Sequence, residues 1–260
     1  MEIEGMGGFA DFFKDYAEHF AVIGGAACSQ WLGEAELEFH QTKDIDVVLV
    51  VEETSRAFYE RLWQYLHNGG YVKWQRADGK KVAFRFVEPK KARYPFMIEL
   101  LSRPDVVRLP EGQTVVPIEP GDGLSSLSAV LLEDAYYNLI LQHRDITVSG
   151  LPAVTPDGLL PLKAKAHLNL MSDRRNGKIV RDRDIKKHRN DVFHLAYLLD
   201  ETKTCELAEP IAIDLRQFLD TYVHTNPAWE GILQSLADAN FPQRTPDELL
   251  SLIRSYYRLI

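Results

Sequence analysis

The sequence predicts an α+β protein, mixed in residues 1–122 and mostly helical over 123–260. Three observations carry that prediction. Short β-branched and aromatic runs bounded by turn residues crowd the first part: FAVI, DIDVVLVV, YVKWQR, KKVAFRFV and FMIELL. Apolar residues at helical spacing interleave with them, then dominate after Gly121-Asp122-Gly123, which sets a domain boundary there. With 260 residues, 45% of them hydrophobic and 26% charged, the chain suffices for one large domain or two modest ones with a real core.

Taken in order, Phe9, Phe12, Phe13, Tyr16 and Phe20 share one helical face. FAVIGG is a strand closing on glycines, AACSQWLGEAELE a helix with Gly33 as its weak point, and HQTK a loop before DIDVVLVV. Thr54 is placed to cap the next helix, whose stripe is Phe58, Leu62 and Leu66 and whose end is His67-Asn68-Gly69-Gly70. Three strands follow, turned by ADG and EPKKARYP, with TVVPIEP as a short further strand. SSLSAVLLEDAYYNLILQHR reads as a helix and ITVSGLPAV as extended. Thr155-Pro156-Asp157 starts the next helix with a capping hydroxyl and proline at the first position; Pro161 fits near its first turn or breaks it briefly. RDIKKHRNDVFHLAYLLD is another helix, and Thr245-Pro246-Asp247-Glu248 opens the last with a capping box.

The formal net charge of -8 argues against a protein that coats nucleic acid non-specifically. Local basic stretches remain at 73–93 and 174–189, each readable as a solvated face or a binding rim. No apolar stretch reaches the roughly 18 residues of a membrane span, and the N-terminus carries acids where a signal peptide carries bases. Cys28 and Cys205 stand far apart with no metal-like spacing, so two free thiols in a reducing cytoplasm are expected. Cys28, on a helix beside the glycines, is a place for a lowered thiol pKa, although no general base stands near it in sequence.

Asp44 and Asp46 carry the chemistry. Residues i and i+2 of a strand share a face about 7 Å apart, and two bare carboxylates there resist joint ionisation. A divalent cation such as Mg²⁺, which takes oxygen ligands, reverses that sign. Glu99, within the apolar FMIELL, becomes a third ligand if its strand lies beside DIDVVLVV; otherwise it is an edge acid in water. Gly24-Gly25, between a strand and a helix, lets backbone N–H groups approach a phosphate, with Ser29 one turn in.

Strand, Gly24-Gly25, helix, loop, then Asp44-Ile45-Asp46 opening a strand resembles the signature of the nucleotidyltransferase superfamily related to DNA polymerase beta. Thr42-Lys43-Asp44-Ile45-Asp46 resembles, within it, the toxins of abortive-infection type IV toxin–antitoxin pairs. The likeness spans roughly residues 20 to 200. It implies a mixed nucleotidyltransferase-fold sheet with flanking helices, a helical C-terminal domain, and a catalytic lysine on a later helix. Lys163 fits that lysine, with Lys165 as competitor, and Lys187 and Asp191 fit a following basic–acidic pair. The toxins often carry an arginine just ahead of the Thr-x-Asp segment; His40-Gln41 stands here, which leaves the nucleotide open. From the residues alone, Lys187 and Asp191 are equally an i,i+4 surface ion pair.

The expected function is transfer of a nucleoside monophosphate from an NTP, with two Mg²⁺ ions held by Asp44, Asp46 and Glu99. Gly24, Gly25, Ser29, Thr42, Lys163, Lys187 and Asp191 are expected at the nucleotide. The acceptor implied by the resemblance is RNA, such as a tRNA 3′ end, with a cognate antitoxin as protein partner and no membrane. A small cationic acceptor of the aminoglycoside type, suited by the acidic pI, and a nucleotide-binding protein without catalysis are the alternatives.

Overall fold

The computed structural model describes residues 4–40, 42–50, 55–77, 82–102, 116–117 and 133–259. In chain order these are α1 (Met6–Phe13), a 3₁₀ turn (Lys14–His19), β1 (Phe20–Ile23), α2 (Gly24–Glu34), β2 (Asp44–Leu49), α3 (Arg56–Gly69), β3 (Lys73–Ala77), β4 (Val82–Val87), β5 (Met97–Ser102) and β6 (Val116–Pro117). Then come α4 (Asp134–Gln142), β7 (Arg144–Ile146), β8 (Pro152–Val154), α5 (Pro156–Arg175), α6 (Asp182–Ala196), α7 (Glu209–Thr221), α8 (Trp229–Asp238) and α9 (Pro246–Tyr256). The protein is α+β.

The strands form one mixed sheet in the order β6-β3-β4-β5-β2-β1-β8-β7. β2 runs parallel to β5 and antiparallel to β1, while β4 runs antiparallel to both β3 and β5. β8 adds to β1 in parallel, so strands from either side of the boundary expected at 122–123 lie in one sheet; the boundary residues themselves fall outside the described ones. Phe9, Phe13, Phe20, Phe58 and Tyr65 pack together beside β1, with the Phe13 ring edge to face with Phe20 at 5.8 Å and tilted to Tyr65 at 5.3 Å between centroids. Edge-to-face pairs such as Phe13 with Phe20 add about 0.5–1.5 kcal/mol each beyond area burial.

Two expected caps differ. Ser55 caps α3 by accepting the Phe58 N–H; Thr54 lies outside the described residues. Thr155 occupies the N-cap of α5 without a side-chain capping bond, and its hydroxyl donates to Asp157 Oδ1 at 2.5 Å. The capping box of Thr245 and Glu248 on α9 is present. The first part of the helix expected from Ser125 lies outside the described residues, and α4 is its described end.

Pro161 leaves α5 unbroken. Proline has no N–H for the carbonyl four residues back, which is that of Asp157. The buried Tyr257 hydroxyl donates to this carbonyl at 2.7 Å and replaces the missing bond. The chain's end is thereby tied to the start of α5. Tyr257→Phe is expected to lower unfolding free energy by about 1–3 kcal/mol, the cost of a buried acceptor left alone. In a Pro161→Ala background the helix supplies its own N–H, so urea denaturation of the four variants should give a smaller loss there.

Candidate metal and phosphate site

The register of β2 on β5 decides where the acids meet. Asp46 lies opposite Glu99 and Asp44 opposite Met97, so the three carboxylates share one sheet face. Glu99 is buried and is not an edge acid in water. On its other side β4 places Arg85 opposite it, and Arg85 Nε donates to Glu99 Oε2 at 2.9 Å in a buried ion pair. Arg85 was read as part of the basic stretch 73–93. The period-2 pattern that made KKVAFRFV a strand also put Arg85 on one face with Ala83 and Val87, and only the pairing with β5 reveals its partner.

β1 completes the arrangement from the opposite edge of β2. Ile23 pairs with Asp46, so the chain turns into α2 at the carboxylate. Gly24 has φ +71°, and a Cβ there would collide with Asp46 Oδ2. Glycine is required at this position by both conformation and space. A Cβ on Gly25 would press on the Thr42 side chain. No side chain caps the start of α2, which leaves the helix end with its N–H groups and positive dipole end beside the acids. Ser29 lies half-buried on the same helix.

α5 and α6 bring up the cations. Lys163 is buried and donates to Asp191 Oδ2 at 2.7 Å, while His40 Nε2 meets Asp191 Oδ1 at 3.0 Å. Asp191 is thus held by Lys163 and His40 and does not pair with Lys187. His40, in the loop HQTK, is half-buried on that carboxylate. Burial works against the charge of both partners, but Lys163 and His40 keep Asp191 ionised well below the usual range, and Asp191 above all keeps Lys163 charged. Lys165 turns elsewhere, to Glu133 at 2.9 Å and Asp214 at 2.8 Å. Lys187 is exposed, and its charge acts on both Asp44 and Asp46.

The chain matches no family model, no curated protein and no solved structure.

Charge balance at the acids is incomplete. Burial, then Glu99, then Asp44 push the Asp46 carboxyl up from 3.8 to about 7, against the pull of Lys163 and Lys187. Asp44 is raised by burial and lowered by Lys187, Arg85 and Lys43. An all-oxygen donor set that holds a proton for want of positive charge fits a hard divalent cation such as Mg²⁺. Asp44 and Asp46 suit it best, since Glu99 is already engaged by Arg85.

Other expectations fare differently. Burial drives the Cys28 thiol up to about 12, so it is not the lowered thiol expected at a helix start. Much of the basic stretch 174–189 is paired locally: Arg174 with Asp182, Lys178 with Asp173 and Arg183 with Asp184. Arg189 is buried near Tyr222. Two clefts, of about 440 Å³ and about 700 Å³, lie in the helical half between residues 201 and 256, away from the acids. Among the described residues, no helix is long and apolar enough to cross a membrane. A further cluster, His143, Asp157 and Cys205, is spaced 14 and 48 residues apart, which follows no motif and was not legible before the fold.

The raised Asp46 carboxyl has a signed consequence. Between about pH 4 and pH 7 the folded chain keeps a proton that the unfolded chain has released, so its contribution to stability falls as pH rises through that window. Asp46→Asn should therefore be more stable than the wild type at about pH 8, by about 1–3 kcal/mol, with the gap closing near pH 4. Millimolar Mg²⁺ should raise the melting temperature of the wild type at about pH 8 and leave that of Asp46→Asn nearly unchanged. Lys163→Met strands Asp191 and should cost about 3–5 kcal/mol, whereas Lys163→Met with Asp191→Leu should recover most of it; chemical denaturation measures both.

Proposed function

We propose that this protein is a metal-dependent nucleotidyltransferase that moves a nucleoside monophosphate from an NTP to an acceptor hydroxyl, as the resemblance in residues 20–200 implies. The observation that carries the reading is the juxtaposition of Asp46 with Glu99 across β2 and β5, with Gly24 pressed against the same carboxylate. Asp44 and Asp46 would hold Mg²⁺, whose chemistry at such a site is Lewis-acid neutralisation of the phosphate charge. The N–H groups at Gly24 and Gly25, with Ser29 and Thr42 nearby, bind the terminal phosphates. Lys187, the exposed cation whose field reaches both aspartates, contacts the triphosphate. Lys163 works from inside: its ammonium favours the ionised form of Asp46 and keeps Asp191 in place. Arg85 holds Glu99 by Oε2, which leaves Asp46 as the carboxylate that takes the acceptor's proton.

RNA as acceptor, and with it the role of a toxin checked by an antitoxin, follows from the resemblance; exposed Lys90, Lys91, Arg93, Lys186 and Lys187 offer the rim. A small cationic acceptor of the aminoglycoside type is favoured by one observation: the formal net charge is -8. The test is incubation with each α-labelled NTP and Mg²⁺, adding total RNA or an aminoglycoside. Label should enter one acceptor with the wild type and fall by at least about 10³-fold with Asp46→Asn. Label in neither acceptor with any NTP would refute transfer to both.

A further inference from the structure

Three segments of the helical half converge on one imidazole. His143 follows α4, Asp157 sits in the first turn of α5, and Cys205 lies between α6 and α7, pinned by its own N–H to the Tyr256 carbonyl at 2.7 Å. His143 Nδ1 meets Asp157 Oδ2 at 3.0 Å, and Nε2 faces the Cys205 sulfur at 3.9 Å. Thr155 donates to Asp157 Oδ1 at 2.5 Å, and the Tyr256 hydroxyl reaches Oδ2 at 3.4 Å. The carboxylate is thus fixed on both oxygens, the ring is fixed by the carboxylate, and the second ring nitrogen is aimed at the thiol. Cys205 and His143 are both half-buried, open to small solutes, whereas Cys28 is fully buried.

We propose that Cys205, His143 and Asp157 form a thiol-reactive site that takes small peroxides of the hydrogen peroxide class. The hydrogen bond to Asp157 and then that to Cys205 raise His143 to about 10, against its burial, so the ring is an imidazolium at neutral pH. Asp157, which burial alone would raise, is held below the usual range by His143 and Thr155. The thiolate is the nucleophilic form of a cysteine, and the imidazolium Nε2 faces this sulfur at 3.9 Å. The other titratable groups facing the cluster come from α9 and the turn after α6. Tyr256 and Tyr257 are pushed above the ordinary tyrosine value by burial and then Asp157, and so stay neutral. Asp200 acts on Tyr256 from farther off.

The step balances within the site. The Cys205 sulfur attacks one peroxide oxygen; the S–O bond forms as the O–O bond breaks. Sulfur loses two electrons to the peroxide and becomes a sulfenic acid. The departing hydroxide takes the Nε2 proton of His143 and leaves as water. With Cys28 buried, reduction falls to a thiol from solution, which displaces water and forms a mixed disulfide.

The full-length protein is treated with stoichiometric hydrogen peroxide and dimedone, and labelled peptides are mapped by mass. Label is expected on Cys205 and not on Cys28. The rate at Cys205 should exceed that of the same cysteine in the guanidinium-unfolded chain by at least about tenfold near pH 6. It should fall by a similar factor in His143→Gln and in the isosteric Asp157→Asn, with Asp157→Glu restoring part of it. A Cys205 rate equal to that of the unfolded chain overturns the proposal, and this comparison needs only the wild type. A rate indifferent to both His143→Gln and Asp157→Asn, in variants that melt as the wild type does, overturns it as well.

Discussion

The parallel pairing of β2 with β5 is the constraint on which the acidic site depends. Two strands of six residues, 47 positions apart from Leu49 to Phe96 and the start of β5, have to meet in one register. A slip of one residue would turn Glu99 to the opposite sheet face and set Asp46 against an apolar neighbour. Parallel strands require a long crossover, and here it contains α3, β3 and β4. That crossover is used twice, because β4 returns alongside β5 and delivers Arg85 to Glu99. One alignment therefore determines both the crowding of the carboxylates and the cation that relieves part of it.

Relief is graded by depth. Arg85 neutralises Glu99 and Lys163 neutralises Asp191, each by a direct bond in buried surroundings, and His40 bonds the other Asp191 oxygen. Asp44 and Asp46 feel charge at a distance, Asp44 from Lys187, Arg85 and Lys43 and Asp46 from Lys163 and Lys187. A buried ion pair broken on one side costs several kcal/mol, so the inner pairs behave as fixed parts of the scaffold. The outer two acids retain unmet demand for positive charge, and they stand where the uncapped end of α2 begins.

Local chemistry was legible in the sequence and long-range pairing was not. DIDVVLVV announced a strand with two acids on one face, and the glycine pair announced the turn into α2; both depend on residues within a few positions. Lys163 could be named beside Lys165 but not chosen, since the choice rests on Asp191, 28 residues further on. Arg85 was lost within a basic stretch because its partner comes from β5. Lys187 and Asp191 have the spacing of a surface pair, yet Asp191 turns inward, where Lys163 and His40 each bond one of its oxygens. Thr155 shows the same limit at short range: its hydroxyl donates to a carboxylate two residues on and accepts no capping N–H.

One helix joins the two clusters without coupling their charges. α5 carries Asp157 in its first turn and Lys163 six residues on, about 9 Å along the axis. The groups acting on Lys163 are Asp191, Cys28 and Asp46, while those acting on His143 are Asp157 and Cys205. The two sets share no member. Between them lies Pro161, buried and unable to donate, with Tyr257 bonded to the carbonyl it leaves open. The neighbouring Tyr256 bonds the Asp157 side chain, so adjacent residues at the end of α9 serve the backbone and the carboxylate of one amino acid. Position is shared along α5 and proton affinity is not. Chemistry at Cys205 is therefore separable, by substitution, from chemistry at Asp46.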